Sequence, residues 1–187
     1  MVSRDELVGF LDKLLLEPCT CSDSSNNGLQ VEGPGRIERV VAGVDACAAL
    51  FERAAEVEAQ MVLVHHGLSW KDSLKYLTGL NARRVGMLFR AGISLYAAHL
   101  PLDSHPKLGH NALIADLMQL GNRRPFFDYD GAPIGFAGEL ARPLALRDLK
   151  SLVDSALETE ATVWPFGPDP VRTLGIVSGG AGEGVLD

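Results

Sequence analysis

Residues 61–67 have the sequence Met-Val-Leu-Val-His-His-Gly, and this stretch determines how the rest of the chain is interpreted. Its first four residues are all apolar, which is typical of a strand buried on both faces of a sheet. Similar segments at Ile37–Val44 and Ile93–Ala98 predict two more strands, and helical spacing of apolar residues over Ala48–Ala59 and Thr78–Ala91 places a helix between successive strands. Strands that alternate with helices form right-handed crossovers. We therefore predict an α/β fold, with a mainly parallel sheet and helices on both faces.

Further elements flank this alternating region. Ser3 and Glu6 form a capping-box pattern, which predicts a helix at the N-terminus. A short strand is predicted over Leu29–Glu32 and another helix over Asn111–Leu120. Together these elements make up a first domain, residues 1–125, which carries the predicted site.

A second, smaller α/β unit is predicted over residues 126–187, after a change of composition near Arg123. Its predicted elements are a helix at Leu146–Leu157 and strands at Ile134–Leu140, Ala161–Trp164 and Val171–Ser178. A glycine-rich turn that begins at Ser178 then leads into Val185-Leu186, which we interpret as the first residues of a further helix. The turn lacks the Lys-Ser/Thr ending of a phosphate-binding loop, so we interpret it as a tight turn. We expect this unit to be incomplete.

The composition is that of a globular, acidic protein. Of the 187 residues, 47% are hydrophobic and 22% charged, and the formal net charge is −7 at pH 7. Phosphate backbones repel charge of this sign, so nucleic acid is a disfavoured partner. No apolar run approaches the ~20 residues that span a bilayer, so no membrane partner is expected. The three cysteines, which include the close pair Cys19 and Cys21, favour free thiols in a reducing cytoplasm over a disulfide framework.

Polar side chains follow the three central predicted strands. Asp45 follows the first strand, His65 and His66 follow the second, and His99 follows the third with Asp103 shortly after. Open parallel sheets bind ligands beyond the carboxyl ends of their strands. Imidazole and carboxylate groups serve as metal ligands and as acid–base catalysts. Their convergence therefore predicts a functional site at this edge of the sheet.

The adjacent histidines need a separate explanation, because neighbouring residues of a regular strand point to opposite faces. In isolation, such a pair is more often one core histidine beside one that faces solvent. At a strand end, however, His65 and His66 can reach two ions that lie side by side, and a carboxylate such as Asp103 can bridge them. The presence of His99 and Asp103 after a neighbouring strand favours the metal site.

Three motifs in the chain resemble successive signatures of one protein family. They are Asn26-Asn27-Gly28-Leu29-Gln30-Val31-Glu32-Gly33, Val64-His65-His66-Gly67 with Trp70-Lys71, and His99-Leu100-Pro101-Leu102-Asp103-Ser104-His105-Pro106. The family is that of the GTP cyclohydrolase I type 2 homologues, also called Nif-three-like proteins. The resemblance runs from the N-terminal helix to the end of this chain and includes the turn at Ser178.

The resemblance implies a dinuclear metal site in a toroidal homohexamer. It implies that His65, His66 and Asp103 are ligands of two divalent metal ions, and imidazole with carboxylate suits zinc, iron or manganese. The family completes its site with a His and a Glu from a later motif, whereas no His lies beyond His110 here. We therefore expect the natural protein to continue past Asp187, and we expect this chain alone to bind metal weakly.

Metal-dependent hydrolysis is the first functional hypothesis. Two divalent ions would lower the pKa of a bridging water towards neutrality, and the resulting hydroxide would attack a ring carbon, as in a cyclohydrolase, or a phosphoryl group. In this hypothesis His99 is the catalytic group, which orients a ligand or shuttles a proton. Lys71 would hold an anionic small-molecule substrate.

Two other classes of function compete with hydrolysis. In the first, the protein is a non-catalytic scaffold or interaction ring whose ions serve structure alone. In the second, it is a nucleotide-binding α/β module without metal, which is disfavoured because no G-x-G-x-x-G motif follows a predicted strand. His105 and His110 fall in a predicted polar loop and are not assigned to the site.

Overall fold

The computed structural model describes residues 1–19 and 21–181 and forms two compact units. The first unit is Met1–Leu102, and the second begins at Asp103. The sequence pattern predicted a domain boundary nearer the C-terminus, between residues 125 and 126. The second unit starts earlier because apolar residues that precede that boundary, among them Ala115 and Leu120, pack in its core. The helix predicted to begin at Val185 lies outside the described residues.

The first unit alternates strands and helices along the chain. Its strands are β1 (Val2–Ser3), β2 (Gly28–Val31), β3 (Arg36–Ile37), β4 (Val40–Asp45), β5 (Met61–His66) and β6 (Ser94–Ala97). Its helices are α1 (Arg4–Leu11), which continues as a π-helical turn over Asp12–Leu16, α2 (Ala48–Glu56) and α3 (Gly79–Ala91). A short helix, α4, covers Leu100–Ser104. The predicted Ile37–Val44 strand is thus divided between β3 and β4.

The main sheet of the first unit has the strand order β2-β6-β5-β4. β4, β5 and β6 are parallel, as predicted for Ile37–Val44, Met61–Val64 and Ile93–Ala98. β2 is antiparallel to β6, and β1 pairs antiparallel with β3 in a separate two-stranded sheet. Since the sheet of the second unit is also antiparallel, the chain is a mixed α/β protein, and "mainly parallel" describes only the three central strands.

Alternating residues of the central strands build two apolar layers. Val62 and Val64 of β5 pack in one buried cluster with Phe51 of α2 and Leu88 of α3. Met61 belongs to the opposite cluster, as do Tyr96 of β6 and Leu11 and Leu15 of the first helical segment. Helices therefore cover both faces of this sheet. The Tyr96 hydroxyl donates a hydrogen bond to Asp12 at 2.8 Å, which satisfies the polar atom of a fully buried ring.

Local sequence signals determine where α1 begins and where α3 ends. The Ser3 hydroxyl accepts a hydrogen bond from the Glu6 amide, and the Glu6 carboxylate accepts one from the Ser3 amide at 3.2 Å, so the predicted capping box is present. Gly92 follows α3 with a φ of 62°, a left-handed conformation that glycine adopts without steric cost.

The second unit contains one antiparallel sheet in its described part. The strands are β7 (Gly121–Tyr129), β8 (Ala132–Leu144) and β9 (Val171–Ile176), in that order, and the helices are α5 (His110–Leu117) and α6 (Leu146–Leu157). β7 was not predicted, because its side chains are nearly all exposed and show no apolar alternation. Residues Ala161–Trp164 form no strand, contrary to the prediction. Prolines follow at 165, 168 and 170, and proline lacks the amide hydrogen that a β-sheet hydrogen bond requires.

The state of the cysteines and the length of the helices concern the cellular environment that the sequence predicted. Cys19 and Cys21 form a disulfide, with their Cα atoms 5.6 Å apart, so the expectation of free thiols is wrong for this pair. Their short separation in the chain allows the bond, since disulfides join Cα atoms about 4.4–6.8 Å apart. Cys47 is a free, exposed thiol. None of the helices in residues 1–19 and 21–181 has the length and apolar character needed to cross a bilayer.

Candidate metal centre

The carboxyl edge of the parallel strands gathers the three histidines identified from the sequence. His65 and His66 end β5, and His99 follows β6. The ring centroid of His65 lies 4.5 Å from that of His66 and 4.9 Å from that of His99. One ligand atom from each ring lies within 4.8 Å of the other two, so the three imidazoles form a cluster that could hold a metal ion.

Strand pairing explains how two adjacent histidines can face the same site. β5 pairs with β6 only as far as Val64↔Ala97, whereas its pairing with β4 continues to Asp45↔His66. The last two residues of β5 therefore pair with a strand on the β4 side only. The rings of His65 and His66 lie near each other at this end of the strand, with an interplanar angle of 47°.

Each of the three imidazoles is anchored through its Nδ1 atom. That atom lies 3.0 Å from the Ala98 carbonyl in His65, 2.7 Å from the Asp45 carboxylate in His66 and 2.9 Å from the Asp23 carboxylate in His99. Because carbonyl and carboxylate oxygens accept, Nδ1 donates in all three rings, and a neutral ring of this tautomer carries its lone pair on Nε2. Histidines that ligate metals are oriented in this way. The donor set therefore fits a divalent metal ion.

Asp23 is a functional candidate that the sequence motifs did not reveal. Its side chain is 6% exposed. It accepts hydrogen bonds from the His99 ring and the Ser25 amide on Oδ1, and from the Asn27 side chain and the Leu100 amide on Oδ2. Burial raises the pKa of Asp23, but the hydrogen bonds from His99, Asn27 and Ser25 outweigh it and lower the pKa to about 2. Asp23 is therefore an ionised group that fixes the His99 ring.

Asp45 plays the corresponding part for His66, but in a more open environment. The two residues are register partners on β4 and β5, which brings their side chains together at the sheet edge. The Asp45 side chain is 67% exposed and that of His66 is 42% exposed. Solvent, an ion or a small molecule can therefore reach the His66 ring directly.

Trp70 lines the cluster, and the sequence assigned it no role beyond its place in the family motif. Its ring lies 4.8 Å from His99 in an edge-on arrangement and 6.1 Å from His66. The Trp70 Nε1 donates to the Gly67 carbonyl at 2.8 Å, which fixes the indole. The predicted substrate residue Lys71 is exposed, and its backbone is bound to Ser24. Its contact with a substrate stays a prediction.

The loop that follows the two histidines is held by the side-chain amide of Gln30. The Gln30 Oε1 accepts hydrogen bonds from the Leu68 and Ser69 amides at 2.7 and 2.9 Å. Its Nε2 donates to the Asn26 and Ser69 carbonyls at 2.8 and 3.2 Å. The Gln30 amide lies against Gly67, where a Cβ would meet both amide heteroatoms at 2.4 Å. The His-His-Gly motif therefore needs glycine for this close approach.

We expect Gly67→Ala to lower the free energy of unfolding by about 2 kcal/mol, because the new methyl group expels the bonded Gln30 amide. Thermal denaturation of the purified variant measures this effect. Gly35→Ala is the matched control, since nothing lies within 4 Å of a Cβ at that position. In a double-mutant cycle, Gly67→Ala should be much less harmful when Gln30 is already alanine. Additive losses would contradict the proposed clash.

Asp103, the third predicted ligand, begins the second unit. Its side chain is 6% exposed, and its Oδ1 lies 2.7 Å from the His110 Nδ1 and 3.0 Å from the Ser178 hydroxyl. Its role as a metal ligand stays a prediction. His110 was left out of the predicted site because it was expected in a loop, whereas it is the first residue of α5. His105 is buried and accepts from the Lys107 and Leu108 amides, which is a structural role.

The fold and the histidine cluster define a mixed α/β protein with a candidate metal centre at the carboxyl edge of a sheet. The model of the Duf34/NIF3 (NGG1p interacting factor 3) family matches residues 2–187. The chain belongs to this family, as its motifs predicted.

Named relatives and solved structures agree with this assignment. A Pyrococcus horikoshii protein named GTP cyclohydrolase 1 type 2 homolog is 39% identical over 182 residues, which cover 97% of this chain and 72% of the relative. An Archaeoglobus fulgidus protein of the same name is 41% identical over 174 residues, or 93% of this chain and 68% of the relative. This chain aligns with the crystal structure of a Thermus thermophilus protein with a TM-score of 0.87 and 36% sequence identity. The alignment covers 99% of this chain and 73% of the Thermus thermophilus chain.

Proposed function

We propose that this chain binds divalent metal ions at the carboxyl edge of its parallel strands and that the bound ions serve hydrolysis. The observation that carries the proposal is the set of three imidazoles that converge within 4.8 Å, each with Nδ1 bonded to an oxygen acceptor. A cluster formed only by packing would not require the same ring atom to be anchored three times. Zinc, iron and manganese are the ions that suit such ligands.

The protein groups have distinct roles in this proposal. His65 and His66 would each hold one of two ions, and Asp103 is included as a bridging ligand on sequence grounds alone. A divalent ion would supply Lewis acidity, which lowers the pKa of a bound water towards neutrality. The third imidazole of the cluster, His99, would stand beside the ions as the catalytic group rather than as a ligand. Its Nδ1 bond to Asp23 keeps the lone pair on Nε2, the atom that would accept a proton or orient a ligand.

A small, negatively charged molecule is the proposed substrate class. Lys71 is exposed and next in sequence to Trp70, whose ring borders the imidazole cluster, and it is included as the contact for an anionic substrate on sequence grounds. The relatives are named as homologues of a GTP cyclohydrolase, which supports a ring carbon or a phosphoryl group as the point of attack. Assembly into a homohexameric ring is a further part of the proposal and rests on the family motifs. A cytoplasmic location is also proposed, on the composition and cysteine content of the chain.

The proposal is tested by elemental analysis and turnover assays on the purified 187-residue chain. With zinc, iron or manganese supplied in excess, we expect weak binding of the ion and metal-dependent hydrolysis of GTP or of a phosphoester, both lost in His65→Ala. Lys75→Ala is the control, because this lysine is exposed in the loop that follows β5 and does not belong to the imidazole cluster. Light scattering should give the same oligomer size for both variants. Bound metal without turnover of any substrate would favour the non-catalytic scaffold, and absence of metal would contradict the proposal.

A further inference from the structure

The side chain of Asn27 contacts both the main chain of His99 and the carboxylate that anchors the His99 ring. Its Oδ1 accepts a hydrogen bond from the His99 amide at 2.8 Å, and its Nδ2 donates to Oδ2 of Asp23 at 2.9 Å. The other oxygen of Asp23, Oδ1, lies 2.9 Å from the His99 Nδ1. The three bonds therefore form a closed cycle that begins and ends on His99.

The chemistry of the two partners calls for an amide at position 27. The main-chain N–H of His99 only donates, and the ionised carboxylate of Asp23 only accepts. The side chain between them must offer one acceptor and one donor, as the carboxamide of asparagine does. Aspartate has nearly the same shape, but it would set a second carboxylate oxygen against that of Asp23. The cycle can therefore close only through a side chain of mixed character.

The path of the chain brings Asn27 to this place independently of the side-chain bonds. Asn27 directly precedes β2, which is antiparallel to β6 with Gly28 opposite Ala97. Residue 27 therefore lies beside the segment that follows β6 and contains His99. Gly28 has a φ of 101°, a conformation that L side chains rarely adopt, at the point where the chain enters β2. The amide is thus held by a strand of the main sheet.

We propose that Asn27 is a positioning residue for His99, which fixes the imidazole relative to its own backbone and keeps the lone pair on Nε2. A lone bond between Asp23 and the ring would let the carboxylate and the imidazole shift together. Asn27 prevents this shift because it ties the same carboxylate to the His99 amide. Connected hydrogen bonds also strengthen one another. The inference rests on the catalytic role proposed for His99 above.

The test is NMR of the nitrogen atoms in the histidine rings of the metal-free chain, which reports the nitrogen that carries the proton. We expect Nδ1 to carry it in His99, whose signals a His99→Gln variant identifies. Asn27→Ala should raise the ratio of rings protonated on Nε2 to rings protonated on Nδ1 by about 5-fold, the effect of losing roughly one hydrogen bond. Asn122→Ala is the control, because the Asn122 amide also donates to a carboxylate, that of Glu139, but at an exposed position.

A second variant, Asn27→Asp, separates positioning from a contribution to folding alone. It keeps an acceptor for the His99 amide and loses the donor to Asp23, so we expect the fraction of rings with a proton on Nε2 to rise again. An unaltered ratio in either variant would overturn the positioning role. So would the unfolding of both variants under conditions in which Asn122→Ala stays folded, because Asn27 would then serve the fold alone.

Kinetic measurements distinguish failure of this inference from failure of the proposed function. With Zn²⁺ and GTP in excess, Asn27→Ala should lower kcat by about 10-fold and leave KM unaltered, since it displaces the catalytic group. Its Zn²⁺ affinity should stay within about 3-fold of the unaltered chain, because His99 is not a ligand in the proposed site. A changed ratio without turnover in the unaltered chain would overturn the proposed hydrolysis, whereas turnover with an unchanged ratio would overturn the role of Asn27.

Discussion

Replacing His66 with alanine is expected to weaken Zn²⁺ binding by about 100-fold or more, because in the proposed site it removes a direct ligand rather than a group that orients one. His66 lies 42% exposed at the end of β5, so the loss of its ring opens no cavity in the buried core. Competition with a chromophoric chelator measures the affinity, and thermal denaturation of the metal-free protein checks that the fold is retained.

A graded series makes this first prediction specific. Asp45→Asn keeps the shape of the carboxylate but weakens its hold on the His66 ring, so we expect a loss of about 10-fold. Lys75→Ala, in the exposed loop after β5, should leave Zn²⁺ affinity unchanged. Equal affinities in the His66→Ala, Asp45→Asn and unaltered proteins would remove His66 from the metal site.

The second large effect is expected in stability. Asp23→Ala should lower the free energy of unfolding by about 3 kcal/mol, since removal of a buried, charged acceptor leaves four hydrogen-bond donors unsatisfied. The donors left without this acceptor are the His99 ring, the Asn27 side chain and the amides of Ser25 and Leu100. Denaturant unfolding followed by circular dichroism measures the loss.

Two comparisons identify the cause of that loss. Asp128→Ala is the matched control, because this carboxylate also accepts a backbone amide, from Gly131, but at an exposed position. We expect it to change stability by less than about 1 kcal/mol. The loss of stability in Asp23→Asn should lie between those in Asp23→Ala and Asp128→Ala, because the amide keeps one acceptor oxygen. If Asp23→Ala were no more harmful than Asp128→Ala, the buried network would be contributing little to the fold.

The central strands and the strand-end histidines could be predicted because their signals are local. Met61–Val64 is continuously apolar because helices cover both faces of its sheet. The polar residues that follow parallel strands lie at the carboxyl edge of the sheet. The capping box of α1 and the Gly92 cap of α3 are equally local. For these features, neighbouring residues alone determine the structure.

The rest depends on contacts between distant parts of the chain. Asp23 reaches His99, and Ser178 reaches Asp103, across 76 and 75 positions of sequence. A serine or aspartate in a polar turn has the same local signature whether or not it has such a partner. β7 was missed for a related reason: its exposed side chains pack against little, and its pairing with β8 is what makes it a strand.

The anchored Nδ1 atoms have a thermodynamic consequence. Ordering a flexible side chain when a ligand binds takes about 0.5–1.5 kcal/mol of conformational entropy. For His65, His66 and His99 this entropy is lost when the chain folds, because Ala98, Asp45 and Asp23 already immobilise the rings. Association with an ion then requires little further ordering of the imidazoles. Release of an ion should accordingly be limited by the breaking of metal–nitrogen bonds, with the sheet edge keeping one conformation throughout.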